Sequence, residues 1–264
     1  VGTDHQRVAH PGQMTYEDDV KKVPVAARSA PDADQLQRAL LKGTVEVNIV
    51  LDVISQGEAI SGNVIAEIPG ETDEIVLIGG HLDSWDLGTG AIDDGAGIGI
   101  TVGAAKLILD LNKTPRRTIR IVMFGSEEVG LIGAKAYAKK YRDRLDKHIV
   151  GAESDFGAGR IWKFDTNFAQ EKLFLAESMH KVLEPLGIGR GDNNASGGPD
   201  IGPLRELGVP AVTLKQNGWD YFDYHHTADD TLDKIDKADI AQNVAAYAAF
   251  VWMAANIDGH FRKD

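Results

Sequence analysis

Short apolar runs alternate with longer segments of helical spacing over most of this chain, from about residue 44 onward. The strand-like runs are TVEVNIVLDVI and ISGNVIAEI, which we expect to pair with each other, followed by EIVLIGG, RTIRIVMFG, HIVGAES and PAVTLK. The helix-like segments are GAGIGITVGAAKLILDL, GLIGAKAYAKKYRDRL, FAQEKLFLAESMHKVLEPL and DIAQNVAAYAAFVWMAANI. This alternation predicts an α/β fold, a three-layer α/β/α arrangement with a mixed, mostly parallel central sheet.

The N-terminal part of the chain is less regular than the remainder. Three prolines, Pro11, Pro24 and Pro31, interrupt it, and DADQLQRALLKG is its one convincing amphipathic segment. We therefore predict a separate N-terminal segment, residues 1–43, followed by one domain over residues 44–264.

The charge balance narrows the choice of partners. The 264 residues carry 28 basic and 40 acidic side chains, for a net charge of −12. Such a chain lacks the clustered Lys and Arg that nucleic acid or an anionic membrane surface requires, and no apolar run approaches the roughly 18 to 20 residues of a membrane span. We expect neither partner. Because the sequence has no cysteine, a transition metal would depend on His, Asp and Glu.

Acidic residues and histidines follow the predicted strands, at the point where each strand ends. His81, Asp83, Asp86, Asp93 and Asp94 follow EIVLI, Glu127 and Glu128 follow RIVMFG, Glu153 and Asp155 follow HIVGA, and His225, His226, Asp229 and Asp230 lie beyond PAVTLK. Because ligands bind at the carboxyl ends of strands in such a sheet, we expect these side chains to converge. So many like charges repel one another unless a cation neutralises them, which predicts a multivalent metal.

The types of ligand favour zinc, with manganese, cobalt or iron as poorer candidates. The donors outnumber the three protein ligands of a single catalytic zinc, so two ions are the better interpretation. A bridging aspartate plus two further ligands per ion needs five groups, and five strand ends supply His81, Asp93, Glu128, Asp155 and His226. The spare acid, Glu127, is then the candidate general base for a water polarised between ions roughly 3.5 to 4 Å apart, which is the chemistry of amide hydrolysis.

The motifs of rival chemistries are missing from the sequence. It contains no GxSxG serine-hydrolase motif, no HExxH and no GxxxxGK[ST], and GTGAIDDGAGIG departs from the GxGxxG register of a dinucleotide loop. Metal-assisted hydrolysis is therefore the favoured chemistry.

Five segments carry a resemblance to a known family. HLDSW, IDDGAG, FGSEEVGLIGA, ESD and YHHTADDT resemble, in order and spacing, the metal-site segments of the di-zinc exopeptidases, which include the bacterial leucyl aminopeptidases, glutamate carboxypeptidase and, most closely, the carboxypeptidase Q type. The resemblance spans residues from about 45 to 258. It implies a phosphorylase/hydrolase-like fold, two Zn²⁺ per chain and a metallo-exopeptidase of short peptides or dipeptides, with aminopeptidase, dipeptidase and glutamate-type carboxypeptidase specificity left open.

The resemblance also implies individual roles. It implies His81 and Asp155 on one zinc, Glu128 and His226 on the other, Asp93 bridging both, Glu127 as the general base, and Asp83 as the acid that orients the histidine ligand. The choice of His226 over His225 follows the family spacing, in which the ligand histidine precedes the threonine of its D-T pair by five positions. A cis peptide between Asp93 and Asp94 is implied as well.

Several interpretations remain open. The N-terminal fifty residues resemble the tail of a protease-associated domain, a homodimer is left open, and a periplasmic or secreted location is expected. A single-zinc glutaminyl-cyclase-like enzyme and a metal-free receptor-like protein of the same fold are the alternatives to the exopeptidase. Asp200 is expected either behind the site or in an ordinary Gly-Pro loop, and Trp219 and Tyr224 are expected to wall the substrate pocket.

Overall fold

A single seven-stranded sheet runs through the molecule in the computed structural model, which describes residues 8–54 and 56–262. The strands are β1 (Val64–Ile68), β2 (Thr72–His81), β3 (Arg117–Phe124), β4 (His148–Glu153), β5 (Ile161–Asn167), β6 (Gly189–Arg190) and β7 (Ala211–Gln216). Their order across the sheet is β1-β3-β2-β4-β7-β5-β6. β3, β2, β4 and β7 are parallel, whereas β1 pairs antiparallel with β3 and β5 pairs antiparallel with β7. The predicted mixed, mostly parallel sheet is confirmed.

Helices cover both faces of this sheet. The helices are α1 (Ala30–Leu40), α2 (Ala96–Asp110), α3 (Ile132–Lys140), α4 (Leu173–Leu183), α5 (Gly202–Glu206), α6 (Tyr221–Tyr224) and α7 (Lys237–Asn256). α2, α4 and α7 pack together on one face, and α3 and α5 pack on the other. The three-layer α/β/α prediction is therefore confirmed.

The central strand β2 shows why these residues form a strand. Ile75 and Leu77 belong to the core beneath α3 and α5, whereas Val76 and Ile78 belong to the core beneath α2, α4 and α7. Successive side chains of a strand point to opposite faces, so a strand that is covered on both faces reads as a continuous apolar run. The run EIVLI is such a strand, and its end delivers His81 to the edge of the sheet.

Side chains at the ends of the helices define their boundaries. The Asp236 carboxylate accepts hydrogen bonds from the backbone N–H groups of Ala238 and Asp239 and so caps α7, as Ser29 caps α1 by accepting from Asp32. After α4, the turn Glu184–Leu186 contains Pro185 and is followed by Gly187 in the left-handed conformation, which stops the helix.

One predicted strand pairing is wrong. Residues 44–54, which contain TVEVNIVLDVI, form neither strand nor helix, and Val47, Val50 and Val53 are exposed. The second run does form a strand, β1, but it pairs with β3. Alternating apolar residues show that the side chains of a segment could lie on one face of a sheet. The segment forms a strand only if a neighbouring strand completes its backbone hydrogen bonds.

The apolar pattern of the sequence does not predict strands β5 and β6. β5 has the sequence IWKFDTN, whose lysine and aspartate interrupt the apolar run, and β6 is two residues long. Over the described residues, no helix is both long enough and apolar enough to cross a membrane.

Candidate metal centre

The first candidate ligand stands at the end of β2. His81 is 1% exposed, and its Nδ1 lies 2.8 Å from the backbone carbonyl oxygen of Asp83. Because that oxygen can only accept, Nδ1 carries a proton, and Nε2 is the nitrogen that holds the lone pair whenever the ring is neutral. Nε2 lies 3.0 Å from Asp93 Oδ1 and 3.7 Å from Asp155 Oδ1. The ring therefore directs Nε2 at two carboxylates.

The turn Ala91–Gly95, between β2 and α2, brings in Asp93. The peptide bond from Asp93 to Asp94 is cis, as the resemblance implies. Asp94 is buried, and its carboxylate accepts hydrogen bonds from the backbone N–H groups of His81 (2.9 Å) and Gly97 (3.1 Å). The carboxylate of Asp230 accepts from the backbone N–H groups of Ile92 (2.5 Å) and Asp93 (3.2 Å). Two buried aspartates thus hold the turn from either side.

The loop after β3 carries Glu127 and Glu128. Their backbone N–H groups donate to the two carboxylate oxygens of Asp83, over 2.9 and 3.1 Å. The indole N–H of Trp85 donates to Glu128 Oε2 over 2.7 Å. Glu127 Oε2 lies 3.9 Å from His81 Nε2, which leaves it beside the candidate ligands without a hydrogen bond to them. The two adjacent glutamates therefore occupy different places in the site.

Two different groups of Asp83 face the site, its backbone carbonyl and its carboxylate. The group that accepts from His81 Nδ1 is the Asp83 backbone carbonyl, whereas the nearer carboxylate oxygen is 3.9 Å away. The carboxylate instead fixes the backbone of Glu127 and Glu128. A single residue thus orients a histidine on one strand end and two acids on the next.

Both candidate histidines of the fifth segment, YHHTADDT, reach the site from the turn after α6. Nε2 of His226 lies 3.2 Å from Asp93 Oδ2 and 3.0 Å from Glu128 Oε2. The His225 ring stacks on the His226 ring at a centroid distance of 3.5 Å, and its Nε2 is 3.6 Å from Asp93 Oδ2. His226 is therefore closer to both carboxylates than its neighbour is.

The donor atoms fall into two groups that share Asp93. One carboxylate oxygen of Asp93 faces His81, near Asp155, and the other faces His226, near Glu128. Tetrahedral zinc, with ligands at about 2.0 to 2.1 Å, places its donor atoms roughly 3.3 Å apart, which matches the observed 3.0 to 3.7 Å. Among the described residues, three triads have donor atoms that all lie within 4.8 Å of one another: Asp93 with His225 and His226, His81 with Asp93 and Glu128, and His81 with Asp94 and Asp155. Both oxygens of Asp94, however, already accept backbone hydrogen bonds.

The electrostatics of these groups favour a positive charge between them. Burial lowers the pKa of His81, but its hydrogen bonds to Asp155 and Asp93 outweigh this and raise the pKa well above the ordinary value. Burial raises the pKa of Asp93, and the hydrogen bonds to His226 and His81 then bring it below the usual range. One buried oxygen, Glu128 Oε1, has no hydrogen-bond partner among the described residues. The donor set and this unpaired oxygen fit a metal ion.

Glu127 differs from the candidate ligands in its protonation. Burial raises the pKa of Glu127 to about 7, against the opposing effect of His81, and the neighbouring carboxylates of Asp155, Asp200 and Glu128 raise it further. A carboxyl group whose pKa lies near neutrality can both take up and release a proton.

Two further acids lie buried behind the site. The backbone N–H of Asp200 donates to Glu153 Oε2 over 2.7 Å, and both carboxylate oxygens of Asp200 lack a partner among the described residues. Burial raises the pKa of Asp200 to about 7 and also raises that of Glu153. Asp200 therefore lies behind the site rather than in an exposed loop.

The candidate ligands open into a cavity of about 520 Å³. Its walls include Phe156, Pro199, Tyr221 and Phe222 as well as Gln13 from the N-terminal segment. Trp219 and Tyr224, expected at this pocket, instead line a neighbouring cavity of about 270 Å³, which shares Phe156 and Tyr221 with the first.

Four residues at the site were given no definite role from the sequence: Trp85, Asp94, Asp230 and Gln13. Trp85, Asp94 and Asp230 lie inside the recognised segments HLDSW, IDDGAG and YHHTADDT, so their position in these motifs was an available signal. Gln13 had none, because it reaches the cavity from the opposite end of the chain.

The sequence is similar to one family of peptidases over most of its length. The family model for Peptidase family M28 matches residues 63–251. Carboxypeptidase Q of Mus musculus and that of Homo sapiens are each 31% identical to this chain over 252 residues, which cover 94% of this chain and 53% of the relative. The chain thus spans about half the length of the curated relatives it matches.

Solved structures give the same family and fold. The crystal structure of a Peptidase M28 precursor from Shewanella amazonensis SB2B is 51% identical, with a TM-score of 0.91 over 99% of this chain and 60% of that one. BSAP, a zinc aminopeptidase from Bacillus subtilis, is 22% identical, with a TM-score of 0.58 over 74% of this chain and 50% of that one, which is a likeness of fold.

Proposed function

Because the chain belongs to Peptidase family M28, we propose that it is a two-zinc exopeptidase that hydrolyses terminal peptide bonds of short peptides. The observation that carries this proposal is the division of the donors by Asp93, whose two oxygens face two separate imidazoles. The name carboxypeptidase for some relatives and aminopeptidase for others supports cleavage at a peptide terminus.

Five side chains would hold the ions: His81 and Asp155 on one, Glu128 and His226 on the other, and Asp93 between them. When bound, zinc would supply Lewis acidity toward the scissile carbonyl group and lower the pKa of the attacking water. The chain's own contribution is to hold imidazole nitrogens and carboxylates in fixed positions. Each histidine would release the proton of its Nε2 as a metal binds, because ligands must be deprotonated to bind.

Glu127 is proposed as the group that moves the proton. Its carboxylate lies at the wall of the cavity and makes no hydrogen bond to the candidate ligands, so it is free to face a water or substrate. It would accept a proton from the attacking water and donate it to the leaving amine. Asp83 supports this role, because it fixes the Glu127 backbone against the adjacent ligand.

The supporting residues limit how far the donors can move. Trp85 holds Glu128, Asp94 holds the His81 backbone, and Asp230 holds the turn that contains Asp93. Outer hydrogen bonds of this kind fix the orientation of metal ligands and raise metal affinity. The substrate would enter a cavity of about 520 Å³, whose size suits a short peptide.

Metal content and substrate choice test the proposal together. We expect two zinc ions per chain by elemental analysis, with hydrolysis of a dipeptide panel that is abolished by a chelator and restored by zinc. Comparing free with blocked amino and carboxyl ends decides between aminopeptidase and carboxypeptidase action. One zinc with cyclisation of an N-terminal glutamine peptide would support the cyclase alternative, and a metal-free protein would support the receptor-like one. The homodimer, the periplasmic or secreted location and the division at residue 43 stay predictions.

A further inference from the structure

A short N-terminal segment, residues 10–13, lies directly against the candidate metal centre. The carbonyl oxygen of Pro11 lies 2.8 Å from Nδ1 of His226, a residue 215 positions later in the chain. His10 Nδ1 lies 3.0 Å from the carbonyl oxygen of His225 and can only donate to it. Gln13 forms part of the cavity wall beside the candidate ligands. Three of its four residues therefore lie against one side of the site.

The contact with Pro11 determines which nitrogen of His226 is available. A carbonyl oxygen only accepts hydrogen bonds, so Nδ1 of His226 carries a proton, and Nε2 is the nitrogen that holds the lone pair whenever the ring is neutral. That Nε2 is the atom that faces Asp93 and Glu128. The Pro11 carbonyl thus sets the tautomer and the ring orientation that a metal ligand needs.

The two histidine ligands differ in how they obtain this support. The carbonyl that orients His81 belongs to Asp83, two residues further along the same loop. His226 has no such local partner for its Nδ1, and its backbone has a φ of +59°, a conformation uncommon for residues other than glycine. Its orientation therefore depends on a distant segment of the chain.

The segment is itself fastened by His10. The His10 side chain donates a hydrogen bond to the carbonyl of His225, the residue that precedes His226. The Pro11 carbonyl and the His10 side chain therefore contact the same two-residue stretch from successive positions. Losing the His10 contact should loosen the carbonyl that orients His226.

We propose that residues 10–13 are a positioning segment of the catalytic site, in which the Pro11 carbonyl holds His226 in its ligating orientation and His10 fastens that carbonyl in place. This inference rests on the proposed two-zinc function and assigns part of its site to the N-terminal region. It predicts that the segment controls the affinity of one of the two zinc ions, the one held by His226 and Glu128.

Zinc affinity measured by competition with a chromophoric chelator tests this in the full chain. The double variant His10→Ala/Pro11→Gly removes the fastening and adds backbone freedom at the carbonyl. We expect one zinc to bind about 10- to 100-fold more weakly and the other to bind as in the unchanged protein. His226→Ala, which removes the ligand itself, identifies the affected ion. His10→Asn, whose amide N–H can still donate to the His225 carbonyl, should restore most of the affinity relative to His10→Ala.

A matched control is available on α4. His180 Nε2 also bonds a backbone carbonyl, that of Ile188 at 3.1 Å, but away from the site. His180→Ala should leave both zinc affinities unchanged. If circular dichroism shows that the double variant does not fold, the zinc affinity of the milder variant His10→Ala is measured instead. Both zinc affinities within twofold of the unchanged protein would overturn the inference. An unchanged protein that binds two zinc ions but cleaves no peptide would instead refute the proposed function and leave the affinity result standing.

Discussion

Protonation of the buried His148 is expected to destabilise the fold between pH 6.5 and pH 4. His148 begins β4 and is fully buried. Its Nδ1 donates to the carbonyl of Arg144 over 3.0 Å, and its Nε2 accepts from the Tyr137 hydroxyl over 2.7 Å. That hydroxyl in turn accepts from the Arg120 guanidinium over 2.7 Å. This chain of hydrogen bonds is complete only while His148 is neutral.

The magnitude follows from the shift in pKa. Burial lowers the pKa of His148 from 6.5 to about 4, and the nearby positive charges of Arg120 and Arg262 lower it further against the effect of the Arg144 carbonyl. The unfolded chain therefore binds the proton first as the pH falls. The contribution of His148 to the free energy of unfolding is fully present above pH 6.5 and is lost as the pH falls from 6.5 to 4. It does not change further below pH 4, and the total loss is about 3 kcal/mol.

Urea unfolding measures this contribution. The unchanged protein and His148→Gln are compared at pH 7.5, 6.5, 5.5 and 4.5, at one fixed zinc concentration. Glutamine can still accept from Tyr137 but does not titrate, and taking the difference between the two proteins cancels the other titrating groups. We expect the stability advantage of His148 to shrink by roughly 2.5 kcal/mol between pH 7.5 and 4.5. Two stability curves that stay parallel over this range would refute the reasoning.

Three other predictions concern the site and its support. Glu127→Gln should retain both zinc ions by elemental analysis yet lower kcat by about 10²- to 10⁴-fold, and near-normal turnover would exclude Glu127 as the base. Trp85→Phe, which removes the N–H donated to Glu128, should weaken zinc binding by about tenfold or more in a chelator competition, whereas Trp162→Phe, at a half-exposed position of β5, should not. Gly97→Ala should lower the free energy of unfolding by more than about 4 kcal/mol, because its methyl group would overlap the Ser154 carbonyl oxygen. Gly99→Ala in the same helix, with no atom within 4 Å of the new methyl group, should instead raise it by about 0.5 to 1 kcal/mol in thermal or urea unfolding, and equal effects of the two substitutions would contradict this account.

Most strands and helices can be predicted from the local pattern of apolar residues. The run EIVLI is apolar on both faces because β2 is covered by helices on both sides. Long helices such as α7 can be predicted because their apolar residues recur at helical spacing over many positions. The candidate ligands could be found because parallel strands end at one edge of the sheet, so residues just beyond each apolar run must meet there.

Other features depended on contacts between distant parts of the chain. The pattern of TVEVNIVLDVI suits a strand, but residues 44–54 have no strand partner, while the more polar β5 is a strand because β7 pairs with it. Periodicity reports which side chains could lie on a common face, and hydrogen bonding to a neighbour decides whether a strand exists.

The sequence by itself determined the composition of the candidate site, because the acids and histidines follow the strands that carry them. Only the tertiary structure decided how those groups are oriented: that the Asp83 carboxylate holds the loop of Glu127, and that the Pro11 carbonyl meets His226 from 215 positions away. Orientation depends on hydrogen bonds across the fold, and no local periodicity encodes a partner so distant in the chain.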